Sequence, residues 1–227
     1  MNLNINKLNN DGFIKFKGHL FGEDSLNIAK NLGKIANIPD ADLVQTLIPN
    51  DTILKEASSY SGIYGLNEFP FHTDMAHWYH PPRYLLLRCI TPSNLVSTKI
   101  LKASQLFENE DINDLRRAIF RPRRRLDGRL CQLRLFEGDF YRWDPLFIQP
   151  ITKLAKLLQL RIAERISNAT PEFITFLHHG DCVLIDNWHT FHARSSIPNE
   201  ALHRKLERIY ITELKVRPLH DGSLLVQ

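Results

Sequence analysis

Residues 180–194 read GDCVLIDNWHTFHAR and contain two short runs separated by a polar turn. The first run, Cys182–Asp186, is apolar up to its final acid, and the second, Thr190–Arg194, follows after three residues. Short runs of β-branched, apolar and aromatic residues between turn residues predict two strands. The second run carries His192, and histidine is a residue type that binds metals.

Similar runs on both sides of this stretch predict further strands. They cover Phe13–Lys17, Leu43–Ile48, Tyr84–Ile90, Cys131–Phe136, Asp139–Trp143, Glu172–Leu177 and Arg208–Leu214. Residues 58–71 contain Gly62, Gly65 and Pro70, so they predict a loop that enters a strand at His72.

Three segments have helical patterns. One begins at a capping Asp24 or Ser25 and runs to about Ala36, and another covers Asp111–Phe120. The clearest begins near Pro150, with apolar residues at spacings of three and four: Ile151, Leu154, Leu158, Ile162 and Ile166.

Many short strands with few helices predict a mainly β fold with flanking helices, in the form of an antiparallel two-sheet barrel. A doubly wound α/β fold is less favoured, because strands and helices do not alternate regularly. Neither repeats nor linkers divide the 227 residues, so we expect one domain over 1–227, with 104–140 as a candidate lid or insertion.

The composition is that of an ordinary globular protein, with 43% hydrophobic and 24% charged residues. No apolar run approaches the roughly 20 residues that span a bilayer. The Asn-rich start, Met1–Asn10, lacks the apolar core of a signal peptide, so a cytoplasmic location is expected. Cys89, Cys131 and Cys182 are odd in number and widely spaced, which favours ordinary thiols over disulfides or a zinc site.

The net charge of +4 is concentrated in one segment. Between Arg116 and Arg134 lie eight of the 29 basic residues and one of the 25 acidic residues, Asp127. Such a cluster could bind phosphates, including those of nucleic acid, or form part of a lid over a substrate. Pro122 and Asp127-Gly128 are turn residues, which slightly favours a solvated loop.

His72-Thr73-Asp74 places an imidazole and a carboxylate two residues apart. On an extended strand both side chains point to the same side, so both can reach one ion. His192 is the candidate third ligand, and two histidines with one carboxylate form the ligand set of iron(II) oxygenases. His189 competes with His192 for this role, because the two have opposite parity on a strand. Other histidines also lie near either half, namely His77, His80, His178 and His179.

Two motifs resemble those of the taurine dioxygenase/clavaminate synthase-like family. Residues 69–74, FPFHTD, and then Pro81-Pro82-Arg83-Tyr84 look like its first metal motif. Residues 180–187, followed by 191–194, FHAR, resemble its second. Their order, spacing and flanks agree over roughly residues 58–214, which favours a metal and His192 as its ligand. The departure is at Trp188-His189, where the family commonly has basic residues.

This resemblance implies a double-stranded β-helix (jelly-roll) core with Fe(II) held by His72, Asp74 and His192. It also implies that 2-oxoglutarate and O2 are co-substrates, with Arg204, Arg208 and Thr98 binding 2-oxoglutarate. Arg204 would anchor the distal carboxylate, and Arg208 would lie nearer the metal. From the residues alone, positions 204, 206 and 208 share one face of a strand, although a solvated strand edge explains them as well.

The implied reaction is hydroxylation of an unactivated C–H bond, with release of succinate and CO2. Asp74 argues against halogenation, because related halogenases have a small residue there. We expect a small-molecule substrate, such as an amino acid or biosynthetic intermediate, that contacts Ser61, Tyr64, His77 and Arg142. Arg142, in Arg142-Trp143-Asp144-Pro145, is equally suited to pairing with Asp144.

Three other functions remain open at this point. A nucleic-acid-modifying oxygenase would use the arginine-rich segment to hold phosphates. A non-catalytic sensor would bind 2-oxoglutarate without turnover, and a cupin-like metal barrel would lack the arginine for the keto acid. The sequence does not indicate an oligomeric state.

Overall fold

The computed structural model describes residues 3–51, 59–108, 111–124, 131–218 and 224–226. Two predicted features, the loop start at Ser58 and the turn at Asp127-Gly128, lie outside these residues. The helices are α1 Ile5–Asp11, α2 Ser25–Leu32, α3 Tyr60–Tyr64, α4 Ala103–Leu106, α5 Asp111–Arg117 and α6 Lys153–Asn168. The first eight strands are β1 Phe13–Lys17, β2 Gly33–Ile35, β3 Gln45–Leu47, β4 Tyr84–Thr91, β5 Ser93–Lys102, β6 Ile119–Pro122, β7 Leu133–Arg134 and β8 Phe136–Glu137. The others are β9 Phe140–Tyr141, β10 Ile148–Pro150, β11 Glu172–Phe176, β12 Asp181–Asp186, β13 Thr190–Arg194, β14 Lys205–Leu214, β15 Val216–Pro218 and β16 Leu224–Val226.

The largest sheet has the strand order β1-β12-β4-β14-β2, with β3 also paired to β14. All its pairings are antiparallel. Side chains alternate between the two faces of this sheet, as the two-residue period of a strand requires. On β4, Leu86 faces a core shared with α1 and α2, whereas Leu85 and Leu87 face the opposite way.

A smaller antiparallel sheet, β11-β5-β13, contributes to the core on that opposite side. Ile100, Ile174 and Phe176 of the small sheet join Leu85 and Leu87 in one buried cluster. The predicted mainly β architecture of antiparallel sheets with flanking helices is therefore confirmed. Two apolar sheet faces that cover each other remove from water the side chains that neither could bury alone.

The longest helix, α6, has 16 residues and packs against a third small sheet, β10-β6-β7. Leu158 and Ile162 of α6 lie in a core with Phe120 and Leu133. Residues of the predicted lid or insertion, 104–140, thus supply part of this core. In the part of the chain that the structure describes, no helix is long and apolar enough to cross a membrane.

All three predicted helices have wrong boundaries. Helix α2 is capped by Asp24 as predicted but ends at Leu32, because Gly33 starts β2 against β14. A Cβ at Gly33 would lie 2.1 Å from the Glu213 carbonyl oxygen, so only glycine allows this contact. Helix α5 ends at Arg117, since the following segment ends in Pro122 and pairs as β6.

Helix α6 begins at Lys153 rather than near Pro150, because Thr152 caps it by accepting from the Ala155 N–H. Pro150 instead ends strand β10, and Ile151 is 45% exposed, so it is not on the buried stripe. The predicted loop at 58–71 contains the short helix α3, which Ser59 caps.

The predicted strands at 84–90, 182–186 and 190–194 are confirmed to within one residue, and β14 begins three residues earlier than predicted. The two strands predicted around Gly138 are shorter than expected, with the turn at Gly138 in the left-handed region at φ 60°. The sequence analysis missed strand β5, Ser93–Lys102. This strand is central to the small sheet.

We expect Leu158→Ala to lower the free energy of unfolding by about 2–5 kcal/mol, because it opens a cavity in the core beneath α6. Its neighbour Leu157 is 61% exposed, so Leu157→Ala should change stability by less than about 0.5 kcal/mol. Urea denaturation of both variants measures the difference. Equal losses of stability in the two variants would show that α6 does not bury the face that carries Leu158.

Candidate metal centre

His72, Asp74 and His192 converge in the interior, each less than 10% exposed. Asp74 Oδ1 lies 3.4 Å from His72 Nε2 and 3.6 Å from His192 Nε2, and one ligand atom from each residue lies within 4.8 Å of the others. Atoms bound at about 2.1 Å and at right angles around one ion would be about 3 Å apart. The separations therefore suit a single metal ion after a small contraction.

Reciprocal backbone hydrogen bonds bring the two histidines together. The His72 N–H donates to the His192 carbonyl and the His192 N–H to that of His72, both at 2.9 Å. This bridge adds His72 to the edge of β13. Thr73 is held on the other side, where its N–H donates to the Trp143 carbonyl at 2.7 Å. The chain then turns at Met75, which has a φ of 58°.

Neighbouring groups orient His72 and Asp74, whereas His192 Nδ1 has no hydrogen-bond partner among the described residues. His72 Nδ1 lies 2.8 Å from the Pro70 carbonyl, so Nδ1 carries the proton and Nε2 presents its lone pair to the centre. The ring of Tyr60 stacks on His72 with centroids 4.1 Å apart, and its hydroxyl donates to Asp144. Burial raises the pKa of Tyr60, so this hydroxyl remains a donor.

Asn187 fixes the backbone of Asp74. Its Oδ1 accepts from the Asp74 N–H at 2.8 Å, and its Nδ2 donates to the Asp74 carbonyl at 3.0 Å and to that of Pro82 at 2.9 Å. The Asp-Asn pair at the end of β12 thus connects the second motif directly to the first.

The two carboxylate oxygens of Asp74 have different surroundings. Oδ1 faces the histidines, whereas Oδ2 accepts from Arg208 Nη1 at 3.1 Å and from the Tyr210 hydroxyl at 3.0 Å. Burial opposes ionisation, but Arg208 and His192 outweigh it and hold the pKa of Asp74 well below its usual range. Burial, aided by the Asp74 charge, raises the pKa of Tyr210 well above its usual value.

His189 does not join this cluster. Its Nδ1 lies 3.0 Å from Asp186 Oδ2, and its side chain is 39% exposed. His189 lies in the turn before β13, where its ring pairs with Asp186, whereas His192 lies on β13 and faces the centre.

The three candidate ligands open onto a cavity of about 500 Å³. Its walls include apolar side chains from the two facing sheets and from the segment within and after β3. Among the predicted site residues it is lined by Thr98, Arg204, Arg208, Ser61 and His77.

The guanidinium of Arg204 is a buried positive charge in the wall of this cavity. The residue is 5% exposed, and no acceptor for its guanidinium lies within hydrogen-bond distance among the described residues. Burial lowers its pKa to about 10, so it remains protonated at neutral pH. A buried cation without a counter-ion is costly, which makes it a strong candidate to bind an anion.

Two of the predicted substrate residues lie elsewhere. Arg142 is 1% exposed, does not line the cavity, and donates to the carbonyls of Ala76, Trp78 and Tyr79 rather than to Asp144. Tyr64 does not line it either and stacks on Tyr60, with ring centroids 5.7 Å apart. Both residues pack the surroundings of the centre.

Sequence reasoning missed Tyr60, Asp144 and Tyr210, all of which line the cavity. Tyr210 shares its strand parity with Arg208, so the face argument could have found it. Asp144 follows the Arg142-Trp143 element already considered. Tyr60 carried no signal, because its segment was interpreted as a loop.

The arginine-rich segment lies apart from the cavity. Its six described arginines are exposed and none lines the cavity: Arg116, Arg117, Arg121, Arg123, Arg124 and Arg134. Arg125 and Arg129 lie outside the described residues.

Comparison with solved structures identifies oxygenases of the same fold. An asparagine oxygenase in complex with Fe(II), 2S,3S-3-hydroxyasparagine and succinate is 19% identical with a TM-score of 0.61, covering 80% of this chain and 60% of that one. The non-haem iron oxygenase OrfP with Fe and α-ketoglutaric acid is 20% identical with a TM-score of 0.60, covering 83% and 62%. PvcB, an Fe, α-ketoglutarate-dependent oxygenase from an isonitrile synthetic pathway, is 18% identical with a TM-score of 0.63, covering 91% and 78%.

The chain thus spans about 60% of the asparagine oxygenase and OrfP structures that it matches. No protein-family model and no curated protein sequence matches it. At these identities the likeness establishes the fold, which is that of Fe- and 2-oxoglutarate-dependent oxygenases, as the motifs at 69–84 and 180–194 had indicated.

We expect His192→Ala to weaken binding of Co(II), a stable substitute for Fe(II), by at least about 100-fold, more than the loss of an outer partner would cause. His189→Ala should leave Co(II) affinity within about twofold, because its ring pairs with Asp186. Titration against a competing chelator measures both. A large loss in His189→Ala alone would reverse the assignment.

Proposed function

We propose that this protein is an Fe(II)- and 2-oxoglutarate-dependent oxygenase built on a double-stranded β-helix core. Fe(II) would be held by His72, Asp74 and His192, and 2-oxoglutarate by Arg204 with Thr98. The reaction would be hydroxylation of an unactivated C–H bond of a small molecule, with release of succinate and CO2.

The donor set supports the choice of metal. Two neutral imidazoles and one carboxylate oxygen on one side of an ion are typical of iron(II) oxygenases, and they leave the opposite positions open. Bound iron would supply the activation of O2 coupled to decarboxylation of the keto acid. The protein would orient the substrates and exclude side reactions.

The buried guanidinium of Arg204 is the observation that carries the proposal. A dianionic keto acid needs a metal at one end and a cation at the other, and Arg204 opens onto the same cavity as the metal ligands. Its planar fork can form paired hydrogen bonds with a carboxylate. Thr98 is 6% exposed and lines the same cavity, so its hydroxyl is available to the same anion.

Arg208 would lie on the metal side of the cavity, as the resemblance implied. Its guanidinium is engaged by Asp74 and Gln45, so it would hold the candidate metal ligand rather than 2-oxoglutarate. The segment 104–140, whose described residues pack against α6, would be an insertion in the core rather than a lid.

The substrate would be a small molecule, consistent with the cavity volume of about 500 Å³. The similar oxygenases were crystallised with hydroxyasparagine and with hydroxy-arginine, so amino acids are the first compounds to test. Ser61 and His77 would contact the substrate, because both line the cavity and the buried His77 Nδ1 has no hydrogen-bond partner in the described part of the chain.

The alternatives find less support. A cupin-like metal barrel has no use for a buried guanidinium facing its metal. A nucleic-acid-modifying oxygenase would use the arginine-rich segment, but the described arginines there do not line the cavity. A non-catalytic sensor of 2-oxoglutarate would bind the co-substrate and release no succinate.

We expect Arg204→Ala to weaken 2-oxoglutarate binding by at least about 30-fold, because removing one partner of a buried charged pair costs about 2–5 kcal/mol. Anaerobic titration of the Fe(II)-loaded protein measures it, through the visible charge-transfer band that a bound keto acid produces. Succinate release in air, with a panel of amino acids, then tests turnover.

Arg121→Ala is the matched control, since it removes an exposed arginine that does not line the cavity and should leave 2-oxoglutarate affinity unchanged. A wild-type protein that binds Fe(II) but gives no charge-transfer band with 2-oxoglutarate would refute the proposal. Normal 2-oxoglutarate binding by Arg204→Ala would refute the role of Arg204.

A further inference from the structure

We infer that Tyr210, Arg208 and Gln45 are positioning residues that make Asp74 a one-oxygen metal ligand. This inference rests on the proposed function, because it concerns how the iron site is shaped. It assigns Arg208 to the metal ligand and gives roles to Tyr210 and Gln45, which lie outside the motifs.

The two carboxylate oxygens of Asp74 have different hydrogen-bond partners. Oδ2 accepts one charged hydrogen bond from Arg208 and one neutral bond from Tyr210, at 3.1 and 3.0 Å. Those donors occupy the lone pairs that a metal would need. Within the described residues, the polar contacts of Oδ1 are the two imidazole nitrogens, at 3.4 and 3.6 Å. Rotation of the carboxylate would break both bonds to Oδ2 inside a buried site, which is costly.

The two donors to Oδ2, Arg208 and Tyr210, come from one strand, β14. Positions 208 and 210 of β14 are two residues apart, so both side chains leave the same face of the large sheet. Tyr210 belongs to the core cluster between the two sheets and is 3% exposed. Its ring is therefore fixed by packing, and its hydroxyl has a defined direction.

Gln45 fixes the orientation of the Arg208 guanidinium. It lies directly opposite Arg208 in the β3–β14 pairing. Its Oε1 accepts from Arg208 Nε at 3.1 Å and from Nη2 at 2.7 Å. Because the guanidinium is planar, two bonds to Gln45 determine where Nη1 points, and it points at Asp74.

One-oxygen binding by Asp74 would determine how many coordination positions of the metal stay open. Two histidines and one carboxylate oxygen leave three positions of an octahedron open. A keto acid bound through two atoms would take two of them and O2 the third. If Asp74 bound through both oxygens, one of these positions would be lost. The three residues thus keep the centre open for both co-substrates.

A purely structural reading of the same contacts is that they only neutralise a buried carboxylate. The two readings predict different behaviour of the bound metal. A positioning role changes the metal's affinity and coordination when one neutral hydrogen bond is removed. A neutralising role changes the stability of the fold and leaves the metal as it was.

The decisive variant is Tyr210→Phe, which removes one hydroxyl and keeps the ring that packs in the core. With Co(II) as the probe and no 2-oxoglutarate present, we expect about 10-fold weaker binding. We also expect a changed visible absorption spectrum of bound Co(II), because its coordination is altered. Gln45→Leu should shift both quantities in the same direction but less, since Arg208 itself remains.

Tyr84→Phe is the matched control. Tyr84 is a buried tyrosine on the adjacent strand β4 whose ring packs on the opposite side of the large sheet. Removing its hydroxyl should leave Co(II) affinity and spectrum as in the wild type. Thermal unfolding of each apoprotein shows that the variants are folded.

Co(II) affinity and spectrum that match the wild type in folded Tyr210→Phe would overturn the inference and leave the proposed function standing. Tighter binding, or an equal loss in Tyr84→Phe, would also overturn it. Failure of the wild type to bind Co(II) at all would instead remove the proposed function on which the inference rests.

Discussion

The paired backbone hydrogen bonds between His72 and His192 join two segments from opposite halves of the chain, and the centre depends on this junction. Without it His72 would lie in an irregular segment, because residues around 70–82 form few other regular contacts with a strand. The bridge gives His72 the orientation of a strand residue while the chain turns immediately afterwards. Asp74 reaches the same point from within that turn, where Asn187 holds both its N–H and its carbonyl. Strand geometry thus positions the two histidines, and side-chain hydrogen bonds from Asn187 position Asp74.

Charge is balanced differently at the two ends of the cavity. At the metal end, the carboxylate of Asp74 already has a cation, Arg208, and a hydroxyl donor, Tyr210. At the other end, Arg204 has no acceptor among the described residues. A dication at the ligands would therefore add to a positive cavity. Such a site would favour a dianion over a neutral ligand, and in the proposed function a keto acid that also binds the metal would satisfy both ends at once.

Several residues around the centre hold its backbone and side chains in place. Arg142 is an example, since its guanidinium holds the carbonyls of Ala76, Trp78 and Tyr79 just after the first motif. Three carbonyls accept from one planar cation there, so an irregular segment is held without secondary structure. Tyr60 acts similarly by stacking on His72 and donating to the buried Asp144. A binding site of this kind needs such support, because small errors in ligand position are costly for function.

The sequence by itself determined the class of fold and most strand positions, because these depend on local patterns, and it pointed to the three residues that converge through the resemblance of two separated motifs to a known family. Short apolar runs located β4, β12 and β13. The shared strand parity of positions 204, 206 and 208 allowed both arginines to face the cavity but left a solvated edge open, and the family resemblance favoured the inward direction. Only the tertiary structure decided where helix α2 ends, since that depends on the approach of Gly33 to β14. It likewise decided that Arg142 holds carbonyls, that His189 pairs with Asp186, and that the two oxygens of Asp74 have separate partners. These outcomes depend on contacts between residues far apart in the chain, and local spacing contains no information about which distant atom a long polar side chain will reach.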